Sequence, residues 1–165
     1  MMEKQSNTTK KTHLHVGGQA PLFRFKDEYG EEKSLGDLKG KKIILFFYPK
    51  DLTPGCIAEA CNLRDNYTHL LSLGFYIIGI SADTEKRHKH FRALFKFPFP
   101  LYADTDMSVI HAYKVWGRKK FMGREFEGIL RTTYIIDEKG IIEHVIEKVK
   151  TKHHTKQILE LLNLN

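Results

Sequence analysis

The sequence predicts an α/β protein whose mixed sheet is flanked by helices, with an N-terminal hairpin extension. Three observations carry that expectation. Two short apolar runs rich in Ile and Phe, at 42–48 and 75–80, read as buried strands. Helical spacing fills the interval between them, with Ala60, Leu63, Tyr67, Leu70 and Leu71 on one face. Two later β-type runs, 128–136 and 141–147, flank the turn Asp137-Glu138-Lys139-Gly140.

Taken in order, 23–26 and 32–34 form a short hairpin around the turn 27–30. The run 42–48 is closed by Pro49. A helix over 52–72 and the strand 75–80 complete a strand-helix-strand unit, which implies parallel strands and a crossover helix. Asp83 is placed to cap a helix from 84 to about 95. A short strand at 101–103, a helix around 107–113, the hairpin 128–147 and a last helix from about 153 to 162 follow. Parallel strands first and an antiparallel hairpin later match the order of a thioredoxin-like fold.

With 165 residues, 41% of them hydrophobic, the chain suffices for one domain with a substantial core, placed at 14–165. Residues 1–13 read as a flexible basic tail; they are polar, contain no apolar h-region, and point to a cytoplasmic protein. No apolar run approaches the length of a membrane span. The net charge of +7 is spread over scattered clusters with no nucleic-acid motif, so it reads as a solvated basic surface.

The two cysteines, Cys56 and Cys61, are too few for a disulfide scaffold and read as chemistry. Cys56 ends the sequence Thr-Pro-Gly-Cys, directly after a buried strand and its loop. Proline favours the first helical position, so Cys56 falls in the first turn of a helix at the carboxyl end of a parallel strand. Unpaired backbone N–H groups and the positive end of the helix dipole favour a thiolate there, and the thiolate is the nucleophile. Gly55 permits a close approach to the backbone, and Thr53 offers a hydroxyl three residues before the sulfur. The alternative for either cysteine is a small buried hydrophobe. On a regular helix Cys61 lies about 8.7 Å from Cys56 between Cα atoms, whereas a disulfide needs less than about 7 Å. If the two pair, the first turns of the helix must unwind.

The segment FFYPKDLTPGCIAEACNLRD resembles the active-site segment of peroxiredoxins of the bacterioferritin comigratory protein, or peroxiredoxin Q, type. The resemblance runs from about 14 to 160 and includes GGQAPLFRFKDEYG, ISADTEKRHKHFRALFKFPFPLYADTD and GILRTTYIIDEKG. It implies a thiol-dependent peroxidase without cofactor or metal, acting on hydrogen peroxide and alkyl hydroperoxides. Cys56 would be the peroxidatic cysteine, Thr53 would hydrogen-bond thiolate and peroxide, Pro49 would shield the site, and Arg131 would stabilise the thiolate and orient the substrate. Cys61 matches the resolving position, thioredoxin or a similar dithiol would recycle the disulfide, and the protein would be a monomer. Leu52 stands where such sequences are often polar, and the basic tail is longer than usual.

Other features read as ordinary. The histidine pairs His13 and His15, His88 and His90, and His153 and His154 lack the i, i+3 or i, i+4 spacing of a helical metal site and are expected at the surface. Trp116 is expected in core or rim packing, and Glu59 stays outside the catalytic set as a solvated helix charge or a modulator of Cys56. Two other functions compete with the peroxidase. One is a thioredoxin-like disulfide exchanger, which would want Cys-x-x-Cys where Thr53 stands. The other is a basic binding or holdase module with incidental thiols, for which no specific nucleic acid or membrane partner is expected.

Overall fold

The computed structural model describes residues 13–165. The tail expected at 1–13 lies outside the described residues up to position 12; His13 Nε2 lies 3.2 Å from the Thr132 hydroxyl. Strand β1 (Arg24–Lys26) pairs antiparallel with β2 (Glu32–Ser34). Asp27 holds their turn by accepting the Tyr29 and Glu31 amides at 2.9 and 2.8 Å. Gly30 takes φ +84° in that turn, a conformation that disfavours any residue with a Cβ.

Strand β3 (Lys42–Phe47) leads into α1 (Pro54–Asp65), α2 (Tyr67–Ser72) and β4 (Phe75–Ser81). Helix α3 (Glu85–Phe95), β5 (Leu101–Ala103) and α4 (Ser108–Ala112) follow. The chain ends with β6 (Trp116–Phe121), β7 (Arg124–Ile129), β8 (Thr132–Ile136), β9 (Ile142–Ile146) and α5 (His154–Leu161). The central sheet has the order β5-β4-β3-β8-β9. Strands β3, β4 and β5 are parallel, while β8 is antiparallel to both β3 and β9. This is the mixed, helix-flanked sheet that the sequence predicts.

Strand β3 explains the layering. Its side chains alternate between faces, and both faces are covered, so the run is apolar throughout rather than alternating. Ile43, Leu45 and Phe47 enter one core with Phe25, Val109, Ile110 and Tyr134. Ile44, Phe46 and Tyr48 enter the other, with Cys56, Ala60 and Leu63 of α1, Phe91 of α3 and Ile158 of α5. Among the described residues no helix is long and apolar enough to cross a membrane.

Three expectations are corrected. The helix expected over 52–72 is two helices, because Asn66 leaves helical geometry (φ −109°, ψ 15°) while its side-chain amide donates to the Asn62 carbonyl at 2.8 Å. Thr84, not Asp83, caps α3 by accepting from the Arg87 amide at 3.2 Å. Asp83 instead accepts from the Ser81 hydroxyl at 2.6 Å and the Asp51 amide at 2.8 Å. The strand expected over 128–136 is broken at Leu130 and Arg131, and β6 and β7 form a separate two-stranded sheet.

Candidate active site

Thr53 takes extended backbone (φ −98°, ψ 151°), Pro54 opens α1, and the first helical bond runs from the Ile57 amide to the Thr53 carbonyl at 2.8 Å. The amides of Gly55 and Cys56 therefore precede the hydrogen-bond ladder and remain the orphan donors of a helix start. Cys56 is buried on the α1 stripe that also carries Glu59, Ala60 and Leu63. Both cysteines are free thiols.

The antiparallel register of β3 and β8 brings Arg131 to this helix. Thr132 faces Phe47 across that ladder, so the residue before Thr132 arrives where β3 ends and the loop to α1 begins. Arg131 NH1 donates to Cys56 Sγ at 3.5 Å and to Glu59 Oε1 at 2.9 Å. Gly55 makes room for the guanidinium: a Cβ built there would lie 2.9 Å from Arg131 NH2. The approach that this glycine permits is that of Arg131.

Glu59 is wholly buried, which removes the solvated helix charge from its two expected readings. Its Oε2 makes no hydrogen bond, and His154 Nε2 lies 3.4 Å away. Burial raises the Glu59 carboxyl to about 7, against the downward pull of the Arg131 charge. Burial likewise drives the His154 imidazole down to about 4. His154 stands 2.8 Å from the Thr133 hydroxyl and 3.0 Å from Gln157 Oε1, so it belongs to the interior rather than the surface. On the hairpin side, Lys119 donates to the Ile129 carbonyl at 2.7 Å. Burial lowers its ammonium below the usual range, Arg131 pushes the same way, and Cys56 opposes.

Of the other residues singled out in the sequence, Thr53 donates its hydroxyl to the Lys50 carbonyl at 2.7 Å. The oxygen's lone pairs are thus left as acceptors, and no bond joins Thr53 to Cys56 among the described contacts. Pro49 is half-buried in the β3–α1 loop, and Leu52 in the same loop takes φ +66°, a left-handed position that favours glycine or asparagine. Cys61 is half-buried on α1, and burial pushes its thiol up. Trp116 packs at the rim and its indole N–H donates to Glu127 at 3.2 Å.

The loop itself is fixed by a network built on His88, which the sequence reading placed at the surface. His88 is buried; its Nδ1 lies 2.6 Å from Asp51 Oδ2 and its Nε2 faces the Tyr102 carbonyl at 3.0 Å. The Tyr48 hydroxyl donates to Asp51 Oδ1 at 2.6 Å. Asp51, Asp83 and His88 have ligand-type atoms within 4.8 Å of one another, but each already has partners within the protein. Glu59 was legible in principle, because it shares the apolar stripe of Cys56, Ala60 and Leu63, and an acid there needs a buried partner. Nothing local in the sequence marks His154, Thr133 or Lys119.

A thiol at a helix start, a guanidinium on its sulfur and a thioredoxin-like sheet define the class as thiol-dependent redox enzymes. The AhpC/TSA family profile matches residues 16–145. The chain belongs to the AhpC/TSA family and is a thiol-dependent peroxidase. It is 44% identical over 146 residues to the putative peroxiredoxin bcp of Coxiella burnetii, covering 88% of this chain and 97% of that one. It is 40% identical over 149 residues to peroxiredoxin Bcp of Bacillus subtilis, covering 90% and 95%. Its fold is similar to a peroxiredoxin Q structure from Xylella fastidiosa (TM-score 0.83, 27% identity, 92% and 96% covered). A Xanthomonas campestris peroxiredoxin Q structure gives a TM-score of 0.77 at 30% identity, with 86% and 90% covered.

Proposed function

We propose that Cys56 is the peroxidatic residue of a two-cysteine peroxidase, that Cys61 resolves it, and that a thioredoxin-type dithiol completes the cycle. The observation that carries this reading is the Arg131 NH1 donor 3.5 Å from Cys56 Sγ at the opening of α1. The Cys56 thiolate attacks one peroxide oxygen, the O–O bond breaks, and sulfenic acid forms as hydroxide or alkoxide leaves and takes a proton to become water or alcohol. Arg131 donates to Cys56 Sγ and to the charge that develops on oxygen. The Thr53 oxygen, its own proton committed to Lys50, accepts from the peroxide O–H, and Pro49 shields the site from water.

Cys61 then displaces water from the sulfenic acid to give the disulfide. About 8.7 Å separates the two Cα atoms on an intact helix, so α1 opens at this step. The break at Asn66 confines the opening to α1, and Asn62 resists it by donating to the Lys152 carbonyl at 3.0 Å and accepting from the Thr155 amide at 2.7 Å. Leaving the interior also removes the burial that holds the Cys61 thiol up. The protein acts as a monomer in the cytoplasm. The test is coupled turnover: with thioredoxin, thioredoxin reductase and NADPH, hydrogen peroxide and an alkyl hydroperoxide should each drive NADPH oxidation. Turnover with neither peroxide, together with rapid reduction of insulin by the dithiol form, would instead assign a disulfide exchanger.

A further inference from the structure

A cleft of about 500 Å³ opens between the β1–β2 hairpin, one face of α3 and strand β5. None of Cys56, Thr53 or Arg131 lines it. Glu85, His88, Lys89 and Arg92 enter its wall at i, i+3, i+4 and i+7, a single face of α3. The acids in the wall are already matched. Glu32 is held by Arg24 at 3.1 Å, Glu85 by Lys26 at 3.7 Å, and Asp27 by Lys33 at 3.6 Å.

Of the arginines and lysines that line the cleft, two have no acidic partner among the described residues, Lys89 and Arg92. Arg92 Nε is buried and has no hydrogen-bond partner, and NH2 makes only a long bond of 3.5 Å to the Glu28 carbonyl. A buried guanidinium N–H without an acceptor is costly. Nε is sealed from solvent, whereas NH1 is not and has no protein acceptor among the described residues, so the terminal nitrogens are the ones free to meet a ligand. Pro100, Leu101 and Tyr102 supply an apolar side to the same cleft.

We propose that this cleft is a binding site for a small organic oxyanion, a phosphate or carboxylate held between Lys89 and Arg92, with its carbon body against Tyr102 and Pro100. The volume lies within the range of small-molecule sites, and a guanidinium beside an ammonium matches the geometry and charge of such groups.

The test is a titration of the reduced, full-length protein with inorganic pyrophosphate and, separately, with citrate, followed by backbone amide shifts at ionic strength held with sodium chloride. Saturable shifts confined to 24–30, 85–92 and 100–103 are expected with at least one of the two, which names the oxyanion. In Arg92→Gln and in Lys89→Gln the affinity should fall by about tenfold or more. Lys89 is exposed, so its variant retains the fold even if the Arg92 variant does not. Shifts that grow linearly with both probes, or that spread over the scattered basic surface, overturn the proposal. So does an affinity unchanged in Lys89→Gln.

Discussion

Glu59, wholly buried, accepts at 2.9 Å from the same Arg131 nitrogen that reaches Cys56 Sγ. One guanidinium nitrogen therefore links the candidate nucleophile to an acid one helical turn away. The acid fixes where the arginine points, and Gly55 leaves the space for it to lie there.

Arg131→Met should remove the donor while the sheet persists, since Arg131 lies between β7 and β8 rather than within either. The rate of sulfenic acid formation, followed by stopped flow, is expected to fall about 100-fold or more, the usual cost of losing a donor to developing charge on oxygen. Arg131→Lys should restore little, because a single ammonium cannot reproduce the planar fork.

Gly55→Ala separates stability from reactivity. Alanine gains helix propensity, which offsets part of the cost of disturbing the Arg131–Glu59 pair, so the protein should stay folded. The added Cβ would press on Arg131 NH2 and displace the guanidinium. Peroxide reactivity is then expected to drop about tenfold or more in a folded protein, since small misplacements of a positioned group are costly. Unchanged reactivity would remove Arg131 from the account.

Glu59→Gln should change how stability depends on pH. The folded carboxyl sits near 7 against 4.5 for the unfolded chain, because burial disfavours the charge. Between those values the folded state holds a proton that the unfolded state has lost, so stability falls as pH rises through this window. His154 works in the opposite direction: near 4 when folded against 6.5 unfolded, it adds stability as pH rises from 4 to 6.5. The two slopes, each at most about 1.4 kcal/mol per pH unit, oppose each other in the wild type. In Glu59→Gln only the histidine slope remains. The variant's thermal midpoint relative to wild type should therefore climb from pH 5 to 7.5; a constant difference would contradict the buried-acid assignment.

Much of this was legible in the sequence because it rests on local rules. The apolar run Ile43 to Phe47 reads as a buried strand, and Pro54 after Thr53 favours a helix start, which together put Cys56 in the first helical turn. Arg131 was named by resemblance alone; its reach to Cys56 depends on the Phe47–Thr132 pairing, a long-range register that no local pattern encodes. His88 and His154 were misplaced because a polar residue is buried only where distant partners satisfy it, here Asp51 with the Tyr102 carbonyl, and Thr133 with Gln157. The β6–β7 hairpin escaped notice because residues 121–127 are exposed and show no buried face to betray them.

The central claim is that Cys56 meets the peroxide and Cys61 closes the cycle. Mass spectrometry of reduced protein treated with one equivalent of hydrogen peroxide tests it directly, in the wild type, Cys56→Ser and Cys61→Ser. The expected result is a Cys56–Cys61 disulfide in the wild type, sulfenic acid trapped at Cys56 in Cys61→Ser, and no rapid oxidation of Cys56→Ser. Rapid oxidation of Cys61 in the absence of Cys56, or a wild-type protein that stops at sulfenic acid without forming the disulfide, would contradict it.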